Sequence, residues 1–227
     1  MQEREGIVLE MLEKIPKQNL VLIGGYAVNA YVPPRFSIDC DLVVLGSSKR
    51  VELALKSNGF VKTEAGEVPN GSYARYFRKG EKVSFDLFIN SVLDRNTEIV
   101  FEGELFKKYS RKRVTVGRAN PIRIEMRIAD PEILFATKFV SARKQDIRDI
   151  FMLAGQDPDG ELIARIISEK CNAELVQERI MVVRRTVRSE DYRDSLHGPF
   201  GMIPDERYDA CKNRLLEFLK ILEKSKS

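Results

Sequence analysis

Two aspartates one residue apart, Asp39 and Asp41, open a segment that turns apolar through Leu42, Val43 and Val44. In an extended chain, residues i and i+2 point to one face about 7 Å apart. Carboxylates so placed repel each other unless a cation sits between them. Mg²⁺, or Mn²⁺ in its place, suits such hard oxygens and commonly shares its coordination with substrate phosphates. A third carboxylate, Asp86, stands inside Val83-Ser-Phe-Asp-Leu-Phe-Ile89, where an uncompensated charge is expensive. If that strand neighbours the first, three acids converge. They could then hold metal, stabilise charge on a phosphate and help activate an attacking hydroxyl. Gly24-Gly25 follows the apolar run Leu20–Ile23 directly and precedes a small-residue helix predicted over 26–31. Paired glycines at such a turn let backbone N–H groups approach a triphosphate, and a helix N-terminus adds partial positive charge.

Thirteen residues separate Gly25 from Asp39, room for one helix and a return to an adjacent strand. Gly24-Gly25, Arg35, Ser37, Asp39 and Asp41, followed by Asp86, resemble the signature of the polymerase-beta-like nucleotidyltransferase superfamily: a Gly-Gly or Gly-Ser turn, an Asp-x-Asp strand and a later third acid. Within it, Gly24-Gly-Tyr-Ala-Val-Asn-Ala-Tyr31 ahead of Arg35-Phe-Ser-Ile-Asp-Cys-Asp-Leu42 is similar to the abortive-infection toxin (AbiEii-like) group and its minimal bacterial and archaeal relatives. Lys138 and Arg143-Lys-Gln-Asp-Ile-Arg-Asp-Ile150 resemble a helix of that group in which a lysine meets the nucleotide phosphates. There an arginine and aspartates line or brace the cleft.

The resemblance implies a nucleotidyltransferase that moves a nucleoside monophosphate from an NTP to the hydroxyl of an RNA such as tRNA, of a protein or of a small molecule. Asp39, Asp41 and Asp86 would be catalytic and metal-binding, and Gly24, Gly25, Arg35, Ser37 and Lys138 nucleotide-binding. Ser37 reads equally as a cap of its own turn, and Arg35 as a brace for the carboxylates. Arg143 and Asp146, at i and i+3, read as a structural pair. The alternative class is a catalytically silent nucleotide-binding module, or one half of a toxin–antitoxin pair whose C-terminal helices face a cognate partner. Three intact acids argue against that decay.

These residues need a frame. Strand character at 60–63, 73–78, 82–89, 113–116 and 122–127, with helices near 9–15 and 47–57, predicts a mixed α/β (α+β) sheet flanked by helices. Asp130-Pro-Glu132 has the form of a helix start, with Asp130 as N-cap. From there helices are predicted over 131–154, open to an interruption, and over 160–170, 173–188 and 205–224. The division is a nucleotidyltransferase core over 1–125 and a helical region over 126–227. Gly198-Pro199 marks a turn, placing His197 in an exposed loop.

Composition excludes several classes. The 227 residues carry 43% hydrophobic and 32% charged residues and a formal net charge of +4, as expected of a globular protein. Three scattered cysteines and one histidine argue against a disulfide framework or a zinc site. Neither a signal peptide nor a membrane span is apparent, so the expectation is a cytoplasmic protein. Two basic runs, at 107–113 and 184–188, read by default as solvated faces. Clustered in space, they would favour RNA.

Overall fold

The computed structural model describes residues 1–224, which form two units. The first comprises residues 1–93 and 100–130; the second comprises 94–99 and the chain from Pro131 onward.

In the first unit the chain runs α1 (Gln2–Lys14), β1 (Leu20–Ile23), α2 (Gly24–Val28), β2 (Asp39–Val44), α3 (Lys49–Ser57), β3 (Val61–Val68), β4 (Gly71–Arg78), β5 (Val83–Ile89), β6 (Ser91–Leu93), β7 (Val100–Glu102), α4 (Gly103–Lys108), β8 (Ser110–Val116) and β9 (Arg123–Ala129). Seven strands form one mixed sheet in the order β3-β4-β5-β2-β1-β9-β8, while β6 and β7 form a separate ribbon. β2 runs parallel to β5 and antiparallel to β1, and β1 runs parallel to β9. The central strand β1 is apolar and buried at all four positions, as expected where both faces of a sheet are covered. β2 buries Leu42, Val43 and Val44 but leaves Asp39 and Asp41 partly open. The edge strand β3 is exposed along nearly its whole length and carries a bulge between Lys62 and Glu64.

α1 turns Val8, Leu9, Met11 and Leu12 inward. The same face carries Glu5, fully buried, whose carboxylate accepts hydrogen bonds from the backbone N–H groups of Arg118 (2.6 Å), Ala119 (2.8 Å) and Asn120 (3.0 Å). Three such donors satisfy a buried charge without a cation.

The second unit holds α5 (Pro131–Ser141), α6 (Lys144–Ala154), α7 (Gly160–Lys170), α8 (Ala173–Arg188), α9 (Tyr192–Phe200) and α10 (Asp205–Lys224). α5 packs on α6 and α7, and α10 on α6, α7 and α8. Phe151 lies 5.3 Å from the Tyr192 ring and 5.2 Å from the Tyr208 ring. Asp159 and Asn172 cap α7 and α8 with their side chains. No described helix is long and apolar enough to cross a membrane.

Several local expectations change. The helical stretch expected over 131–154, open to an interruption, is two helices, with Ala142 at φ 47° between them. His197 lies in α9, half-exposed. Pro199 sits one residue before the helix end, so the breaker terminates the helix after His197 rather than ahead of it. The helix expected over 26–31 is α2, which starts at Gly24 itself and ends at Val28. The helix start expected at Asp130-Pro131 is found there, α5 beginning at Pro131, and the Asp130 carboxylate accepts from Arg111 Nε at 2.6 Å.

Candidate active site

The site is built on the junction of β1 and α2. Gly24 adopts φ +66°, and a Cβ placed on it would fall 1.9 Å from Asp41 Oδ2. Only glycine combines that backbone with that approach. The Asp41 carboxylate therefore lies against bare main chain. A Cβ on Gly25 would meet Ser37 Oγ at 2.5 Å and Arg35 Nη2 at 3.0 Å. Both glycines thus make room for the residues named with them in the sequence.

The loop between α2 and β2 is held from within. Asn29 accepts from the Arg35 N–H (3.0 Å) and donates to the Arg35 carbonyl (2.9 Å). The buried Arg35 donates through Nη1 to the Phe36 carbonyl at 3.0 Å. Ser37 Oγ donates to the Asp39 carbonyl at 3.2 Å, and Tyr26 OH to the Ser37 carbonyl at 3.2 Å. In this state Ser37 stiffens its own turn.

Across the sheet, Asp41 stands in register with Asp86, and Asp39 with Ser84. Ser84 Oγ donates to Asp39 Oδ1. Cys40, between the two acids, is fully buried. Burial pushes its thiol well up, and the charges of Asp41, Asp86 and Asp39 push it further.

Asp86 is nearly buried, and β4 supplies its partners. Arg75 donates from Nε to Oδ1 at 2.7 Å and from Nη2 to Oδ2 at 2.8 Å, and Tyr73 OH donates to Oδ1 at 3.1 Å. These hydrogen bonds raise the Arg75 guanidinium above its ordinary value. Neither Arg75 nor Tyr73 stood out in the sequence. The available signal was a Tyr-x-Arg pair facing one side of a strand next to one with a lone aspartate.

Asp39 and Asp41, both partly open, fit a divalent ion of the kind held by one or two carboxylates with phosphates completing its shell. Asp86 fits less well as a third ligand, since both its oxygens already accept from Arg75. Among the described residues no three His, Cys, Asp or Glu side chains are grouped to hold a metal ion.

Lys138 belongs to α5 of the second unit, is buried, and bonds Asp146 Oδ1 at 3.0 Å and Asp149 Oδ2 at 2.7 Å. Arg143 Nε adds a bond to Asp146 Oδ2 at 2.8 Å. Burial alone would raise the Asp146 carboxyl, but Lys138 and Arg143 outweigh it and hold it below the ordinary value.

The fold is a mixed α/β sheet flanked by helices, with the two partly open aspartates against its glycine turn. The profile of the nucleotidyl transferase AbiEii toxin family, of type IV toxin–antitoxin systems, matches residues 8–224, and the chain belongs to that family. Among solved structures it is similar to JHP933 from Helicobacter pylori, at 17% identity over 98% of this chain and 94% of that one, with a TM-score of 0.45. It is also similar to the STING-associated CdnE c-di-GMP synthase from Capnocytophaga granulosa, at 14% identity over 98% and 81% of the two chains, with a TM-score of 0.26. Superpositions this loose add nothing to the family assignment. A search of curated proteins gave no match.

Proposed function

We propose that this chain transfers a nucleoside monophosphate from an NTP to an acceptor hydroxyl, with RNA such as tRNA the favoured acceptor over a protein or a small molecule. The observation that carries the reading is the seating of Asp41 against Gly24. It sets the partly open Asp39–Asp41 pair directly against the main chain of the glycine turn, so that the carboxylates and the glycine N–H groups belong to one site.

Asp39 and Asp41 would hold Mg²⁺ or Mn²⁺, which supplies charge neutralisation at the transferred phosphate when bound. Backbone groups of Gly24 and Gly25 line the phosphates, with Arg35 and Ser37 behind them. Lys138 is kept as a phosphate ligand on the strength of the resemblance. The acceptor oxygen bonds to the α-phosphorus, the bond to the β-phosphate oxygen breaks, and pyrophosphate leaves. Asp86 Oδ2 accepts one described hydrogen bond, and a carboxylate oxygen carries two lone pairs. It can therefore orient the acceptor hydroxyl and receive its proton while Arg75 holds it still. The toxin family implies a cognate antitoxin as partner, and a cytoplasmic setting suits both substrates.

The test supplies each of the four α-³²P NTPs with Mg²⁺ to total RNA and total protein, using wild type and Asp39→Asn/Asp41→Asn. Label in RNA with wild type alone is the expected result. Equal labelling by the double variant would overturn the assignment of the carboxylates, and label confined to protein would overturn the RNA acceptor.

A further inference from the structure

The basic run 107–113 does not form one face. Arg111 is turned to Asp130, and Arg113 covers the Tyr31 ring at 4.8 Å. Lys112 points to the other side of β8, where it stands directly across from Arg127 of β9. Like charges directly opposite on a strand pair destabilise it, and here no described carboxylate pairs with either. Arg127 Nη1 donates to the Ser110 carbonyl at 2.9 Å, which fixes its head. The remaining N–H groups of Arg127 have no described acceptor.

These two cations line a cavity of about 380 Å³ together with Lys17, Lys107 and Asn19, a volume in the range of ligand sites. Lys17 likewise has no described ion pair, while Lys107 meets Glu104 at 3.1 Å. Glu125 is the acid of the lining. The cavity lies where Asn19 accepts a bond from the Leu45 N–H, at the start of β1 and just past the end of β2. Asp39 is at the opposite end of β2, about 17 Å away at 3.3 Å per residue. It is therefore a separate site from the carboxylates.

We propose that this cavity is a second, phosphate-binding site that grips the RNA acceptor by its backbone at a distance from the reacting end. The proposal rests on the RNA reading given above. Arg127, its head fixed by Ser110, with Lys112 directly across from it and Lys17 beside it, is the complement of a phosphodiester, and the edge strand β8 leaves them open to a long polyanion. A free nucleotide carries the same phosphates, and the experiment separates the two.

Binding of a short fluorescein-labelled RNA of mixed sequence is followed by anisotropy from about 50 to 200 mM salt, for wild type and Lys17→Ala/Lys112→Ala. Both side chains can be shortened without exposing a partner. The expected result is an affinity about tenfold lower and a log–log salt slope shallower by about two, with ATP·Mg²⁺ binding by calorimetry unchanged. Unchanged RNA affinity and slope in the variant would overturn this site and leave the RNA acceptor standing. Weakened ATP·Mg²⁺ binding with RNA binding intact would overturn it in favour of a nucleotide site. Absence of RNA binding by wild type that still binds ATP·Mg²⁺ would remove the RNA acceptor and this site together.

Discussion

Arg75 and Asp86 face each other in direct register on β4 and β5 and are joined by two parallel hydrogen bonds of 2.7 and 2.8 Å. That geometry makes Asp86 an anchored carboxylate, set apart from the more open Asp39 and Asp41. Asp86→Asn is accordingly expected to leave Mn²⁺ affinity, read by electron paramagnetic resonance, within about twofold of wild type, while Asp39→Asn and Asp41→Asn each lower it at least about tenfold. A loss in Asp86→Asn as large as in the other two would restore a three-acid metal site.

Removing the other half of the pair tests stability. Arg75→Ala leaves a nearly buried carboxylate with Tyr73 as its remaining described side-chain donor. Urea unfolding should show a loss of about 2–3 kcal/mol. Arg75→Lys should recover part of it, because one ammonium cannot reproduce the two-pronged contact.

Gly24→Ala asks a non-glycine residue to hold φ +66° and to share space with Asp41 Oδ2. The backbone conformation alone costs about 1–2 kcal/mol, and the carboxylate must move. The variant should fold with a lowered Tm and lose metal-dependent NTP binding in calorimetry. Binding at the wild-type level would show that the seating of Asp41 is immaterial.

Lys138→Ala should lower stability by about 3 kcal/mol in thermal or urea unfolding, since Asp149, fully buried, and Asp146 both lose a cation within 3.0 Å. A variant that unfolds like wild type would mean that Lys138 serves phosphate alone.

Glu52 gives a pH signature. Burial would raise its carboxyl, but hydrogen bonds from Ser48, Tyr76 and Lys62 hold it at about 2. A folded value below the unfolded one stabilises the protein above about pH 4.3, and that contribution is lost as pH falls toward 2. Glu52→Gln should be less stable at pH 7 by on the order of 1 kcal/mol, given its partial exposure. Its acid unfolding profile between about pH 5 and 2 should be correspondingly shallower.

What could be read beforehand follows from how local each signal is. Gly24, Gly25, Asp39 and Asp41 lie within one strand-turn-strand passage, so their types and spacing already describe the turn and the shared face. Asp86 required only that its strand neighbour β2. Its clamp by Arg75 depends on the register of β4 against β5, which alternation within either strand cannot decide. An interruption within 131–154 is allowed for, but its position at Ala142 is not legible, because that residue itself favours helix and yet adopts φ 47°. The division of the run 107–113 between two faces likewise needed the position of β8 at the sheet edge.

Glu5 ties the start of the chain to a loop that is translated much later, since the amides that satisfy its carboxylate belong to Arg118, Ala119 and Asn120. A nascent chain that ends short of Asn120 lacks donors for that charge. α1 gains the partners of its buried carboxylate only once the β8–β9 loop has emerged. The contact joins residues 113 to 115 apart in sequence, a long-range closure of the kind that slows folding. The last-made loop of that unit thus holds down the helix that was made first.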